Sequence, residues 1–194
     1  MAKLDLDCIY SVKSGLLEGP RWDAQAQELV VADARNGGVI GLRAGQPPRL
    51  LIAHRKGIGG LALHANGGCV VSGRNIAFKP YDHGGPAGPT RVLIDRDEAS
   101  HRVGFNDLCV DHKGRVYVGS MAFVALDGNL DDPSLRAGHF WIVELDGSTR
   151  VVADDIRISN GTALSPDGRI LYLSDSGRRH VLAFDVDLES GALS

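Results

Sequence analysis

Apolar and polar residues alternate with a period of two along most of this chain, and turn residues break the alternation at regular intervals. Four stretches carry the pattern: residues 22–33, 61–73, 108–120 and 162–175. Each holds an apolar alternation, a Gly or polar turn, and a second alternating run such as Glu28-Leu-Val-Val-Ala-Asp33 or Arg115-Val-Tyr-Val-Gly-Ser120. Successive side chains of a strand point to opposite faces, so this is the signature of a hairpin. Shorter runs at 39–42, 139–145 and 181–184 add outer strands. Sheets of about four strands, repeated every 40–55 residues or so, predict an all-β fold of the propeller type with very little helix. The modules fall at residues 17–58, 59–103, 104–158 and 159–194, within one partial propeller domain. A β-sandwich alternates in the same way, but it imposes no common register on polar side chains.

Such a register is present. Counting eight residues back from the turn glycines Gly114 and Gly168 lands on Asn106 and Asn160. The same count from Gly67 lands on Gly59, and from Ala26, in a degenerate turn, on Glu18. If the modules pack around one axis, equivalent positions face one centre, where hard oxygen donors suit a hard divalent cation. The same residues also admit a turn reading. Asn before Gly or Asp caps its own backbone and tolerates positive φ, and Glu18 before Gly-Pro fits an exposed loop.

Charge and composition exclude more than they identify. A net charge of −3 offers no electrostatic pull toward nucleic acid or anionic membrane. No apolar run is long enough to span a bilayer, and the acidic start Met-Ala-Lys-Leu-Asp-Leu-Asp is unlike a signal peptide, so a cytoplasmic protein is expected. Cys8, Cys69 and Cys109 have unrelated spacings, and the latter two lie in strand-like runs, which predicts buried free thiols. The seven histidines form no metal-ligand spacing. Gly57-Ile-Gly59-Gly60-Leu-Ala62 matches a dinucleotide fingerprint by letter, yet a hairpin pattern follows it where a phosphate site needs a helix. Asp127-Gly-Asn129-Leu-Asp131 opens like an EF-hand loop but lacks the sixth-position Gly and the twelfth-position Glu.

At 194 residues the chain holds four modules, the last of them short. A closed four-bladed ring needs the segment 4–12 to supply the missing strand of the last module. A partial ring instead exposes an edge open to pairing with another copy.

Leu17-Glu18-Gly19-Pro20-Arg21-Trp22, Phe105-Asn106-Asp107-Leu108 with the turn that follows, and Ile158-Ser-Asn160-Gly-Thr-Ala-Leu-Ser-Pro-Asp-Gly168 bring the chain to a recognisable pattern. It resembles the senescence-marker-protein/gluconolactonase/luciferin-regenerating-enzyme family over essentially its whole length. The resemblance implies a six-bladed propeller, about four blades of which are present, with one divalent cation at the axis. Calcium is the first expectation for that ion, with zinc, manganese or magnesium as alternatives. It also implies hydrolysis of small lactones or related esters. Glu18 and Asn160 match the family's metal-binding Glu and Asn, and Asn106 matches the Asn that contacts substrate and often the metal. Two departures accompany the match. The family's Asp ligand and presumed general base, in a Pro-Asp-Gly stretch about one module further on, lies beyond the last residue, and Asp167 belongs to a turn. No catalytic base is therefore assigned, and impaired turnover is expected. The sugar-lactone enzymes also carry an Arg two residues before the substrate-binding Asn, where this chain has Gly104, and substrate choice rests on loops such as 78–90 and 122–137. A non-catalytic binding module, or a truncated inactive gene product, is the competing reading. The expected partner is a small lactone or ester, with no nucleic acid or membrane, for a monomer or a chain that self-associates through an open edge.

Overall fold

The computed structural model describes residues 7–81, 88–122, 136–144 and 146–194. They form fifteen strands in four antiparallel sheets, each sheet built from consecutive strands. The first sheet holds β1 (Leu17–Asp23), β2 (Glu28–Asp33), β3 (Val39–Leu42) and β4 (Arg49–Ile52). The second holds β5 (Leu61–His64), β6 (Gly68–Val71), β7 (Asn75–Pro80) and β8 (Arg91–Asp95). The third holds β9 (Gly104–Val110), β10 (Val116–Met121), β11 (Gly138–Val143) and β12 (Thr149–Ile156). The fourth has three strands, β13 (Ser159–Leu164), β14 (Ile170–Asp175) and β15 (His180–Asp185). Together they are the four blades of a β-propeller. No described residue is helical, and no helix is long and apolar enough to cross a membrane. Residues 7–16 carry no strand, and the EF-hand-like stretch lies outside the described residues. The expected loop 78–90 is corrected at its start: Phe78 belongs to β7 and pairs with Val70 and Arg91.

Neighbouring blades meet through their first strands, β1 with β5, β5 with β9, and β9 with β13, so these four strands are the innermost. Three apolar clusters fill the wedges between blades. Val30, Ala32, Val39 and Leu51 of the first blade pack on Leu61, Cys69 and Val71 of the second. Ala62, Val70 and Ile76 of the second pack on Leu108, Val116, Val118 and Val143 of the third. Cys109, Tyr117, Phe140 and Ile142 of the third pack on Leu171 and Leu173 of the fourth. The period-two alternation thus serves two junctions at once, because each interior sheet is buried on both faces.

Polar positions inside the sheets are satisfied by specific bonds. The Ser120 hydroxyl accepts from the His139 N–H and from Trp141 Nε1, each at 3.0 Å. The fully buried Asp175 carboxylate accepts from the backbone N–H groups of Arg157, Ile158 and Gly177 at 2.9–3.1 Å and from Arg178 at 3.2 Å. Burial pushes the Asp175 acid up, but these donors outweigh it and hold it below the usual carboxylate range. Asp33 behaves likewise, with burial outweighed by bonds from Asn36, Leu16 and Arg35.

The segment after β15 turns back on the third blade. Its backbone carbonyls at Leu188 and Glu189 accept from Arg115 at 3.0 and 2.8 Å, and Gly191 O accepts from the Tyr117 hydroxyl at 3.0 Å. Arg115 is itself held by Asp111 at 2.6 Å, with both side chains buried. Gly191, at φ 73°, lets the backbone approach so closely that an added Cβ would sit 2.7 Å from the Tyr117 oxygen.

Candidate functional site

Each inner strand that carries a register oxygen has an irregularity at that position. The pairing of β1 with β2 shifts between Glu18 and Arg21, and that of β13 with β14 shifts between Asn160 and Ala163. In β9 the shift falls opposite the Val118/Ser120 step of β10, at Asn106 and Asp107. Gly19 and Gly161, at φ 57° and 50°, supply the left-handed residues that two of these bulges need. A bulge turns the next side chains off the sheet face, so short polar groups project from strands otherwise made for packing.

The bulges bring the two asparagines together. Asn106 Nδ2 donates to Asn160 Oδ1 at 2.7 Å and to Ser159 O at 2.7 Å. Both acceptors are oxygens, so the amide orientation of Asn106 is fixed by its partners and its Oδ1 faces the other way. That oxygen lies over Gly59, where an added Cβ would sit 2.1 Å from it. Asn160 in turn donates to Ser176 Oγ at 3.0 Å. Gly59 thus works as a vacancy: its missing side chain is the space that the Asn106 carboxamide occupies.

Asp107, the next residue of β9, links this pair to the first blade. Its carboxylate accepts from the Thr162 N–H at 3.2 Å and stands 4.0 Å from the Arg21 guanidinium, which also donates to Leu108 O at 2.9 Å. Glu18 is half-buried on β1, and its carboxylate makes no hydrogen bond or ion pair among the described residues. Burial first, and the charge of Asp107 second, push its acid above the usual range. Glu18 is therefore a carboxylate short of a positive partner, beside another carboxylate that has one. Sequence reasoning finds the three oxygens but not Asp107 and Arg21. An Asp that follows an Asn in a turn-like stretch gives no signal until the bulge aims it at the neighbouring strand.

Beyond Arg21, an open cleft of about 450 Å³ runs along the far halves of the inner strands. All four blades line it, through Arg21 and Trp22, Ala62 and Leu63, Cys109 and Val110, and Thr162 to Leu164. Cys109 is the sole thiol there, and burial pushes it up to about 12, so it is an inert apolar wall at neutral pH. Gly104, where the sugar-lactone enzymes carry Arg, pairs with Met121. Asp167 caps its own turn, accepting from Ser165 Oγ at 2.6 Å and from the Arg169 N–H at 3.1 Å. Among the described residues no three His, Cys, Asp or Glu side chains gather as metal ligands.

The sequence pattern of the SMP-30/Gluconolactonase/LRE-like region matches residues 16–194. The chain belongs to this family. Within it, regucalcin of Gallus gallus is 28% identical over 194 residues, the whole of this chain and 62% of the relative. A luciferin-regenerating enzyme has the same fold, with a TM-score of 0.77 and 25% identity over 92% of this chain and 58% of its own. A gluconolactonase of Xanthomonas campestris superposes with a TM-score of 0.71 and 26% identity, over 93% of this chain and 61% of its own. The chain thus spans about 62% of the length of the curated relatives it matches.

Proposed function

We propose that this family member binds one divalent cation at the Glu18, Asn106 and Asn160 end of its inner strands and acts in the hydrolysis of small lactones. The observation that carries the reading is the half-buried, unpartnered Glu18 carboxylate, in register with a hydrogen-bonded pair of asparagines. The donor set fits the ion: every candidate ligand is a hard oxygen, and the one charged ligand lacks a cation. Calcium suits neutral amide oxygens best, and Asn160 Oδ1 keeps a second lone pair free after accepting from Asn106. When bound, the cation supplies Lewis acidity to the lactone carbonyl and to the oxyanion formed from it.

The chain's own residues have separate tasks. Glu18 contributes the negative charge that retains the ion. Asn160 completes the oxygen set without adding charge, and Asn106 is the residue we assign to contact both the ion and a bound ester. The Arg21–Asp107 pair lies next to them, with Arg21 also lining the cleft. What supports lactones as the substrate class is the family, which includes the Xanthomonas gluconolactonase.

The test is calorimetric titration of the purified chain with calcium, alongside hydrolysis of δ-gluconolactone followed by pH-stat. Saturable binding of one ion, abolished in Glu18→Ala, is expected. Binding that survives Glu18→Ala refutes the site. Binding without turnover retains the site and favours the binding-module reading over the enzyme.

A further inference from the structure

We infer that Arg21 and Asp107 are positioning residues: they form a crossbar past the second blade that holds Glu18, Asn106 and Asn160 at one mutual spacing. The inference rests on the cation reading above, and adds what decides which cation fits. Three inner strands lose their regular pairing where they carry a register oxygen, at Glu18–Arg21, Asn106–Asp107 and Asn160–Ala163. Backbone in a bulge has no ladder to fix its place. The crossbar fastens these same three stretches to one another.

Each contact falls just beyond a register oxygen. Thr162, buried and two residues past Asn160, donates its N–H to Asp107 Oδ2 at 3.2 Å, so a donor released by the bulge finds its acceptor. Asp107 Oδ1 accepts from Leu108 N at 2.8 Å, which holds the carboxylate by both oxygens. Arg21, three residues past Glu18, donates to the carbonyl of fully buried Leu108 at 2.9 Å and stands 4.0 Å from Asp107. The second blade lies between the first and the third, as β5 touches both β1 and β9. The reach is open because Gly60 has no side chain: an added Cβ would sit 2.7 Å from Asp107 Oδ1 and 2.8 Å from Leu108 N. Charge and positioning make opposite demands on Arg21. As a bare positive charge near a cation it weakens binding, so its loss would tighten the site. As a crossbar it keeps β1 in step with β9, so its loss loosens the oxygen set. Calcium and magnesium are told apart by the size and rigidity of that set, so a loosened site loses discrimination along with affinity.

Arg21→Met keeps an extended side chain without charge or donors, Asp107→Asn turns one acceptor into a donor, and Arg21→Lys keeps the charge and a donor. Calorimetric titration with calcium and with magnesium is expected to show roughly a 10–100-fold loss of calcium affinity in Arg21→Met and in Asp107→Asn. Both should narrow the calcium-to-magnesium affinity ratio, and Arg21→Lys should restore it. Plain destabilisation would weaken both ions alike. An unchanged ratio, or tighter calcium binding in Arg21→Met, overturns the inference. Amide NMR of the ion-free chain tests the geometry separately. The side-chain amide signals of Asn106 and Asn160 are expected to move in Arg21→Met and Asp107→Asn but not in Asp167→Asn, which loosens only its own turn. Signals that stay in place in both crossbar variants overturn the crossbar whether or not an ion binds. Signals that move, in a chain whose parent binds no ion, uphold the crossbar and sink only the cation reading.

Discussion

Replacing Gly59 with alanine probes the inner strands at their tightest point. The added Cβ falls 2.1 Å from Asn106 Oδ1 and 3.2 Å from Asn106 Cα, against 3.4 Å or more for an ordinary contact. The carboxamide must therefore retreat by about 1.3 Å (3.4 − 2.1). Because Asn106 Cα is close as well, a side-chain rotation has to supply most of that retreat. Rotation gives up the two 2.7 Å bonds to Ser159 O and Asn160 Oδ1. At about 1 kcal/mol net per hydrogen bond, the loss is about 2 kcal/mol. The gain from stiffening the unfolded chain returns about 0.5 kcal/mol. The expected net cost is thus about 1.5 kcal/mol, which for a chain of this length lowers Tm by roughly 3–6 °C. A double-mutant cycle with Asn106→Ala isolates the cause, because truncating Asn106 removes the obstruction. Urea denaturation of the four proteins should show the Gly59→Ala cost falling to near zero in the Asn106→Ala background. An undiminished cost there refutes the argument, since the strain would then lie elsewhere.

Three further outcomes follow from the same geometry. Glu18→Gln is expected to abolish stabilisation by calcium, whereas the parent chain at a hundredfold excess over Kd gains about 2.7 kcal/mol, or roughly 5–11 °C by scanning fluorimetry. An equal calcium shift in both proteins sinks the site. The folded state also holds the Glu18 proton more tightly than the unfolded one, so without cation this residue favours folding as pH falls through its raised range, and Glu18→Gln removes that dependence. Asp33 and Asp175 act in the opposite sense: their contribution is intact above about pH 4 and is lost as pH falls through their lowered folded values. Asp175→Asn is expected to flatten the acid limb in a circular-dichroism titration, and an unchanged limb contradicts this. Ser120→Ala orphans Trp141 Nε1 and the His139 N–H, for a cost of about 2–3 kcal/mol in urea denaturation. A cost below about 0.5 kcal/mol would mean that solvent replaces both bonds.

Much of the architecture was legible from alternation, because each interior sheet buries both faces and so repeats its apolar signal strand after strand. The turns at Gly114 and Gly168 were equally plain, since their positive φ selects glycine. The register that singled out Glu18, Asn106 and Asn160 needed only counting, and the structure places a hydrogen bond between the two asparagines. What counting missed is the work of the bulges. They interrupt pairing at Asn106–Asp107 and at Gly161–Thr162, and no local composition announces which side chain a bulge will turn inward. Arg21 and Asp107 meet across two blades, a contact set by tertiary packing alone. Tyr172 illustrates the same limit from the other side. It reads like Tyr117 in the alternation, and only the assembled blades distinguish a core residue from a solvent-facing one.

The tether from Arg115 and Tyr117 to residues 188–191 bears on how the molecule comes apart. The turn that follows β15 is fastened to the β9–β10 turn of the third blade and to the buried Arg115–Asp111 pair, so the fourth sheet cannot open without disturbing the third. The slowest-exchanging amides of β10 and β14 should therefore exchange in step, as a single cooperative block of two blades.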